Sequence, residues 1–192
     1  MSNDLITYSD SLLWNDFKKG NHEAFHAVYK NHVQTLYKYG CNFTQDKALV
    51  KDCIHDVFID LVKYRSALGA TNNIKLYLFK SLKRKIVKSL YKRKRFKALE
   101  KEDIAFRYDA SAEDEIVEDI STQTRSKKLI AAMVFLSPRQ REAIYLKFVS
   151  NLSYEEISIL LEINYQSARN LIFRGVEKLR AALPKEIILV FL

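Results

Sequence analysis

The stretch Leu136–Leu183, "LSPRQREAIYLKFVSNLSYEEISILLEINYQSARNLIFRGVEKLRAAL", carries three successive helix starts. Ser137 followed by Pro138 and Gln140 supplies an N-cap, a proline at the first helical position and a reciprocal capping partner. Ser153 with Glu156 repeats the capping box. Asn164 can cap a third helix running from Tyr165 to about Ala182. Only Glu162–Ile163–Asn164 separates the last two helices. That is the spacing of a helix-turn-helix, whose second helix enters the major groove. Glu162 stands where such a turn usually has glycine, and positive φ at a side-chain-bearing residue costs on the order of 1 kcal/mol.

Core positions agree with this reading. Ile157, Leu161 and Ile163 line one side of the pair, Ser158 and Ala168 are small where the helices approach, and Leu171 and Ile172 close the apolar side. The candidate DNA-contacting set on the last helix is then Tyr165, Gln166, Ser167, Arg169, Asn170 and Arg174. Arg with Gln or Asn can form bidentate contacts to guanine and adenine edges. Gln166, Arg169 and Asn170 lie at the end that reaches bases, and Arg174, further along, suits a phosphate. A plain three-helix bundle with solvated charges is the competing structural reading.

Upstream, Leu12, Leu13 and Phe17 predict a short helix ending near Gly20. Asn21 caps a second helix with Phe25, Val28, Tyr29, Leu36 and Tyr37, and a third holds Val50, Ile54, Val57, Phe58 and Leu61. After the loop "SALGATNN", Leu78, Leu82, Ile86 and Leu90 recur every fourth residue. "LKRKIVKSLYKRKR" (82–95) is thus the basic half of an amphipathic helix whose apolar stripe is committed to a core. Its Lys80, Lys83, Arg84, Lys88, Lys92 and Arg93 form a charged outer face. Asp52, Asp56 and Asp60, spaced by four, make an acidic stripe beside the apolar face of the third helix.

Composition narrows the class. The 192 residues are 48% hydrophobic, with four glycines and two prolines, too few of either for a hairpin-rich β fold. A formal charge of +9 favours a polyanionic partner. No run nears the roughly 18 apolar residues of a membrane span, and the polar start lacks a signal-peptide pattern, so the expectation is a protein not embedded in a membrane. Cys41 and Cys53 are too few for a disulfide framework, so a reducing cytoplasm is the expected setting. Twelve Lys and Arg fall between Lys75 and Lys101 against Glu100 alone, whereas residues 102–119 hold eight acids against Arg107. That reversal marks an acidic linker. The fold class expected is all-α, with two small helical domains (1–95 and 125–192) joined by the linker 96–124, the second domain a helix-turn-helix.

"HEAFHAVYKNH" (22–32) matches the zinc-protease pattern H-E-x-x-H through His22, Glu23 and His26, with His32 at a third-ligand spacing. Tyr29 replaces the glycine that would let the chain leave the helix. In a continuous helix His26 and His32 stand roughly 9 Å apart along the axis and point about 120° apart, which cannot close a tetrahedral site. No metal and no other cofactor is expected.

Taken in order, "GNHEAFHAVYKNHVQTLYKYG", "VKDCIHDVFIDLV", "IKLYLFKSLKRKIVKSLYKRKR" and "LSPRQREAIYLKFVSNLSYEEIS" resemble the segments of a bacterial RNA polymerase sigma factor. The match is to the sigma-70 family, in its compact extracytoplasmic-function group, and it spans most of the chain outside the linker and the extreme ends. The resemblance implies that the protein is not an enzyme but a cytoplasmic promoter-specificity subunit. Its partners would be core RNA polymerase (clamp helices and flap), promoter DNA and an anti-sigma factor. It further implies that the first domain binds the clamp through Asp52, His55, Asp56 and Asp60 and melts the downstream (−10) element with the basic helix. The second domain would read the upstream (−35) element, with the linker threading the polymerase near the RNA exit path. Arg84 departs from the family pattern, where many relatives carry Asn, which favours phosphate binding over base reading there. Tyr77, Tyr91 and Phe96 offer stacking surfaces for unpaired bases, with core burial the competing fate of Tyr77. The loop Ser66–Asn73 would hold a flipped base. The apolar tail "EIILVFL" is expected to pack on the second domain, with partner binding as the alternative. An autonomous regulator with a ligand-sensing first domain is the rival reading, separable by pull-down of core polymerase.

Overall fold

A computed structural model of the chain describes residues 9–97, 105–108 and 132–183, with the side chains of 94–97 left out. Most of the acidic linker, the Phe96 ring and the apolar tail therefore lie outside the described residues. Within them the chain is helical, with no strand.

Each helix starts where its cap chemistry directs. Helix α1 (Asp10–Lys18) is capped by Ser9, and α2 (His22–Cys41) by Asn21, whose carboxamide oxygen accepts from Glu23 and Ala24 N–H at 2.8 and 3.1 Å. Asp46 caps α3 (Lys47–Lys63) by accepting from Leu49 N–H at 2.9 Å. A short 3₁₀ turn, Arg65–Ala67, leads into the loop before α4 (Ile74–Lys97). Asn73 caps that helix locally through Leu76 N–H, and Asp10 reaches across from α1 to take Ile74 N–H, each at 2.8 Å. In the second half, α5 (Pro138–Ile144) widens into a π turn, Tyr145–Val149. There Ser150 N–H bonds the Tyr145 carbonyl at 3.0 Å, five residues back. Helices α6 (Tyr154–Leu161) and α7 (Tyr165–Ala182) follow. Both expected capping boxes form reciprocally.

Helices α2, α3 and α4 pack against one another, with α1 packed on α2 and α4. Leu78, Leu82 and Ile86 are buried as the fourfold spacing predicts, and Leu90 packs half-buried at the edge. In α1 Phe17 is buried and Leu13 packs half-buried, as expected, but one expected core position differs. Leu12 is 57% exposed, whereas Trp14 is fully buried and donates its indole N–H to the Gly69 carbonyl at 2.9 Å, tying the 66–73 loop to the bundle. Gly40 lets α2 approach α3 closely, since a Cβ there would lie 2.6 Å from Val50 Cγ1.

The second half is built from α5 packed on α7 and α6 packed on α7. Ile157, Leu161, Ala168 and Ile172 are buried, and Ile163 and Leu171 are half-buried. The two halves also meet. Tyr39 of α2, Phe79 of α4, Phe106 and Tyr145 form one aromatic cluster, with the Tyr39 and Phe79 rings stacked at 4.5 Å.

Candidate nucleic-acid interface

The turn between α6 and α7 consists of Glu162, Ile163 and Asn164, with Glu162 left-handed at φ 54° and ψ 48°. Asn164 accepts from Ser167 N–H at 2.7 Å and fixes the first turn of α7. From that start the helix presents Tyr165, Gln166, Ser167, Arg169, Asn170 and Arg174 to solvent, all of them exposed. The polar groups are already ordered. Gln166 Nε2 donates to Asn170 Oδ1 at 3.2 Å, and the Arg169 guanidinium lies 6.0 Å from the Tyr165 ring centre. Tyr165 in turn meets Tyr154 edge-on at 6.2 Å. Such ordering lowers the rotamer entropy lost on binding.

One residue on this face escaped the sequence reading. Phe173 is 65% exposed, seven residues after Gln166 and four after Arg169, hence on the same stripe. Its signal was an aromatic residue at an outward register position, which an apolar count assigns to the core by default.

The basic helix is less free than its sequence suggests. Arg84, Lys88, Lys92 and Arg93 are exposed, while Lys80 and Lys83 are half-buried. Several cations already have partners within the chain: Lys83 holds Glu142 at 2.8 Å, Arg84 approaches Glu162 at 3.7 Å, and Arg93 meets Asp46 at 2.5 Å. The Leu49 N–H and the Arg93 guanidinium together hold the Asp46 carboxyl below its ordinary range. Tyr91 stands half-exposed, and Tyr77 is half-buried with its ring 5.1 Å from Trp14.

Asp52, His55 and Asp56 are exposed along α3, whereas Asp60 is tied to Lys85 of α4 at 2.7 Å. Beside this stripe a groove of about 1020 Å³ runs between α2 and α3, lined by Phe25, Tyr29, Val33, His55, Phe58 and Ile59 among others. Tyr29, Ile59 and Val62 there are exposed apolar side chains. In the loop 66–73, Ser66, Ala67, Gly69, Ala70 and Asn72 are exposed.

His22, His26 and His32 all lie on α2, which runs unbroken past Tyr29. Among the described residues no three His, Cys, Asp or Glu side chains gather as a metal site. His32 is instead partly buried between α1 and α4, and burial lowers its pKa, with Lys75 adding to the effect and Asp10 opposing it. Among the described residues no helix is long and apolar enough to cross a membrane.

Comparison with known proteins places this geometry. Residues 126–179 match the family model described as Sigma-70, region 4, which takes in the helix-turn-helix. Over 167 residues the chain is 25% identical to the RNA polymerase sigma factor CarQ of Myxococcus xanthus, covering 87% of this chain and 93% of that one. It is 23% identical over 174 residues to the ECF RNA polymerase sigma factor BldN of Streptomyces coelicolor, covering 87% of this chain and 63% of BldN. Two solved structures share the fold. CnrH, solved in complex with the cytosolic domain of CnrY, superposes with a TM-score of 0.62 at 18% identity, over 91% of this chain and 96% of CnrH. The sigma factor RpoE from Bartonella quintana, solved with the anti-sigma factor NepR, gives 0.56 at 19% identity, over 88% of this chain and 96% of that one.

Proposed function

The chain belongs to the sigma-70 family of RNA polymerase sigma factors, in its extracytoplasmic-function group, and from that premise we propose how its parts divide the work. It directs core RNA polymerase to promoters for transcription initiation. In our reading the second half reads the upstream promoter element with the exposed face of α7. Gln166, Arg169 and Asn170 contact base edges, Tyr165 and Ser167 support them at the groove wall, and Arg174 anchors on a phosphate. Phe173 adds an apolar contact of the kind that suits a thymine methyl group.

The first half binds the polymerase clamp through Asp52, His55 and Asp56, beside the apolar α2–α3 groove, with Asp60 held back by Lys85 as a support for that surface. The basic face of α4, with Lys80, Lys83, Arg84, Lys88, Lys92 and Arg93, runs along the backbone of the downstream element, and Tyr91 offers a stacking surface as strands part. The domain boundaries at 1–95 and 125–192, with the linker 96–124 between them, fit this division. The protein performs no chemistry of its own and works in the cytoplasm. An anti-sigma factor is among its partners, a reading supported by a structural neighbour solved with such a protein.

One observation carries the proposal: the helix capped by Asn164 turns exposed Gln166, Arg169 and Asn170 outward, Gln166 and Asn170 hydrogen-bonded to each other, one turn after a left-handed residue. A library of randomised upstream elements, transcribed by holoenzyme carrying each variant, tests it. Arg169→Ala is expected to cost about 1–3 kcal/mol at the best element and to relax preference at one or two positions. Arg174→Ala should weaken all sequences about equally. The reverse pattern would show that α7 is rotated in the groove relative to this assignment.

A further inference from the structure

Two tyrosines open the two helices of the helix-turn-helix. Tyr154 directly follows the cap Ser153 on α6, and Tyr165 directly follows the cap Asn164 on α7. Cap geometry fixes the backbone at both places, so the rings meet in a set position. They stand edge-on, with centres 6.2 Å apart and planes at 75°. Such contact brings the positive rim of one ring to the negative face of the other, which holds orientation as well as position. Arg169 stands four residues after Tyr165, one turn along the same face. Its guanidinium lies 6.0 Å from the Tyr165 ring centre.

The other end of this row is anchored by irregular backbone. Lys147 sits in the π turn Tyr145–Val149 that follows α5. The chain then passes through Asn151, left-handed at φ 53°, and Leu152 N–H returns to the Leu146 carbonyl at 2.9 Å. There the Lys147 ammonium lies 4.6 Å from the centre of the Tyr154 ring and donates to the Leu152 carbonyl at 3.4 Å. Single π turns within helices are frequent at functional sites. Here the turn carries a half-buried cation to the half-buried ring that opens α6. Lys147, Tyr154, Tyr165 and Arg169 form a continuous row, cation–ring–ring–cation, from the α5–α6 junction to the exposed face of α7.

We propose that this row positions Arg169 for base reading, with Lys147 and Tyr154 as positioning residues that act through Tyr165 and touch no base themselves. The proposal rests on the reading of Arg169 as a base-contacting residue. An arginine on an exposed helix face samples many rotamers, and fixing them on binding costs free energy. A guanidinium stacked on a ring is already committed to one direction of approach. The matching base pair meets it there, whereas a mismatched one must pull it off the ring or leave it unpaired, so discrimination gains as well as affinity. Tyr165 is itself 42% exposed and cannot hold that direction alone. Tyr154 supports it edge-on, and Lys147 holds Tyr154.

Holoenzyme carrying Tyr154→Leu, Tyr154→Phe or Lys147→Met, assayed on the library of randomised upstream elements, tests the row. Tyr154→Leu is expected to weaken preference about two- to fivefold, the range of one exposed cation–ring contact. The loss should fall at the same one or two positions that Arg169→Ala relaxes and nowhere else. Tyr154→Phe keeps the ring and should retain the preference. Lys147→Met drops the charge at similar length and should reproduce the Tyr154→Leu pattern more weakly. In the Arg169→Ala background neither change should alter preference further. A uniform loss across sequences, with the same bases preferred, overturns the proposal, since that is what a merely structural role gives. Unaltered preference in Lys147→Met overturns it too, and a salt slope flattened by about 0.9 would then mark Lys147 as a phosphate contact instead. Should Tyr154→Leu fail to fold, Lys147→Met alone decides between these outcomes. Arg169→Ala separates this failure from the underlying one. If it relaxes preference while the other two variants do not, Arg169 reads bases unaided and only the row is wrong; if it too lowers output uniformly, the base-reading assignment falls as well.

Discussion

Glu162 shows how far a single residue can be read in advance. The three-residue spacing between α6 and α7 demands a reversal, and the chain makes it with φ 54° at a glutamate. Left-handed backbone at a residue with a Cβ costs about 1–2 kcal/mol, partly offset because glycine loses more freedom on folding. Glu162→Gly is therefore expected to raise the stability of the protein by about 0.5–1 kcal/mol, seen as a higher melting temperature. Its ion pair with Arg84 subtracts little, since both side chains are 69% exposed. Glu162→Ala removes the carboxylate but keeps the strain, so an equal gain from alanine would assign the effect to charge. Other residues were not legible at this scale. Trp14, Phe173 and Glu142 carry no periodic signal that distinguishes core from surface: Trp14 follows two leucines that seemed the better anchors, Phe173 is an aromatic turned outward, and Glu142 is a buried acid whose partners are 59 and 103 residues away.

At the scale of elements, cap chemistry and spacing carried most of the reading, because both are local. Asn21, Ser137, Ser153 and Asn164 start their helices as expected, and α7 spans Tyr165–Ala182. The π turn at Tyr145–Val149 was not foreseen, since its hydrogen bonding is set by how α5 must deliver the chain to Asn151, itself left-handed at φ 53°. Long-range caps were equally hidden, as with Asp10 closing the start of α4. That corner of α1, α2 and α4 also encloses His32, whose neutral form burial favours. A histidine with a lowered folded pKa supports stability fully above its unfolded value of about 6.5. As pH falls through that value the unfolded chain takes up a proton first, so stability declines until the folded protein is protonated as well. Lys75 strengthens this dependence and Asp10 weakens it. Melting curves between neutral and mildly acidic pH should therefore shift downward on acidification, and His32→Gln should flatten part of that shift. An unaltered pH profile in the variant would place the acid sensitivity on other groups.

Across the whole molecule the segregation of charge along the sequence announced two functional blocks, but not their contact. A reader of the sequence sees the cations of α4 as free and the acids of the second half as solvated. In three dimensions Lys83 and Glu142 meet, and Tyr39, Phe79, Phe106 and Tyr145 form one aromatic cluster across the seam. No local pattern encodes a pairing between residues so far apart. If this seam couples the halves energetically, they should unfold as one unit, and the chain offers a convenient reporter. Trp14 is the sole tryptophan, fully buried in the first half, so its fluorescence follows that half alone. Far-UV circular dichroism follows helices of both. Coincident midpoints from the two probes are the mark of a single cooperative transition, and that is the result expected for the free protein. Phe106→Ala combined with Glu142→Gln should pull the two curves apart, leaving the fluorescence transition with only part of the helical loss. Separate transitions in the unaltered protein would mean that the seam contributes too little to couple the halves, however well its side chains fit.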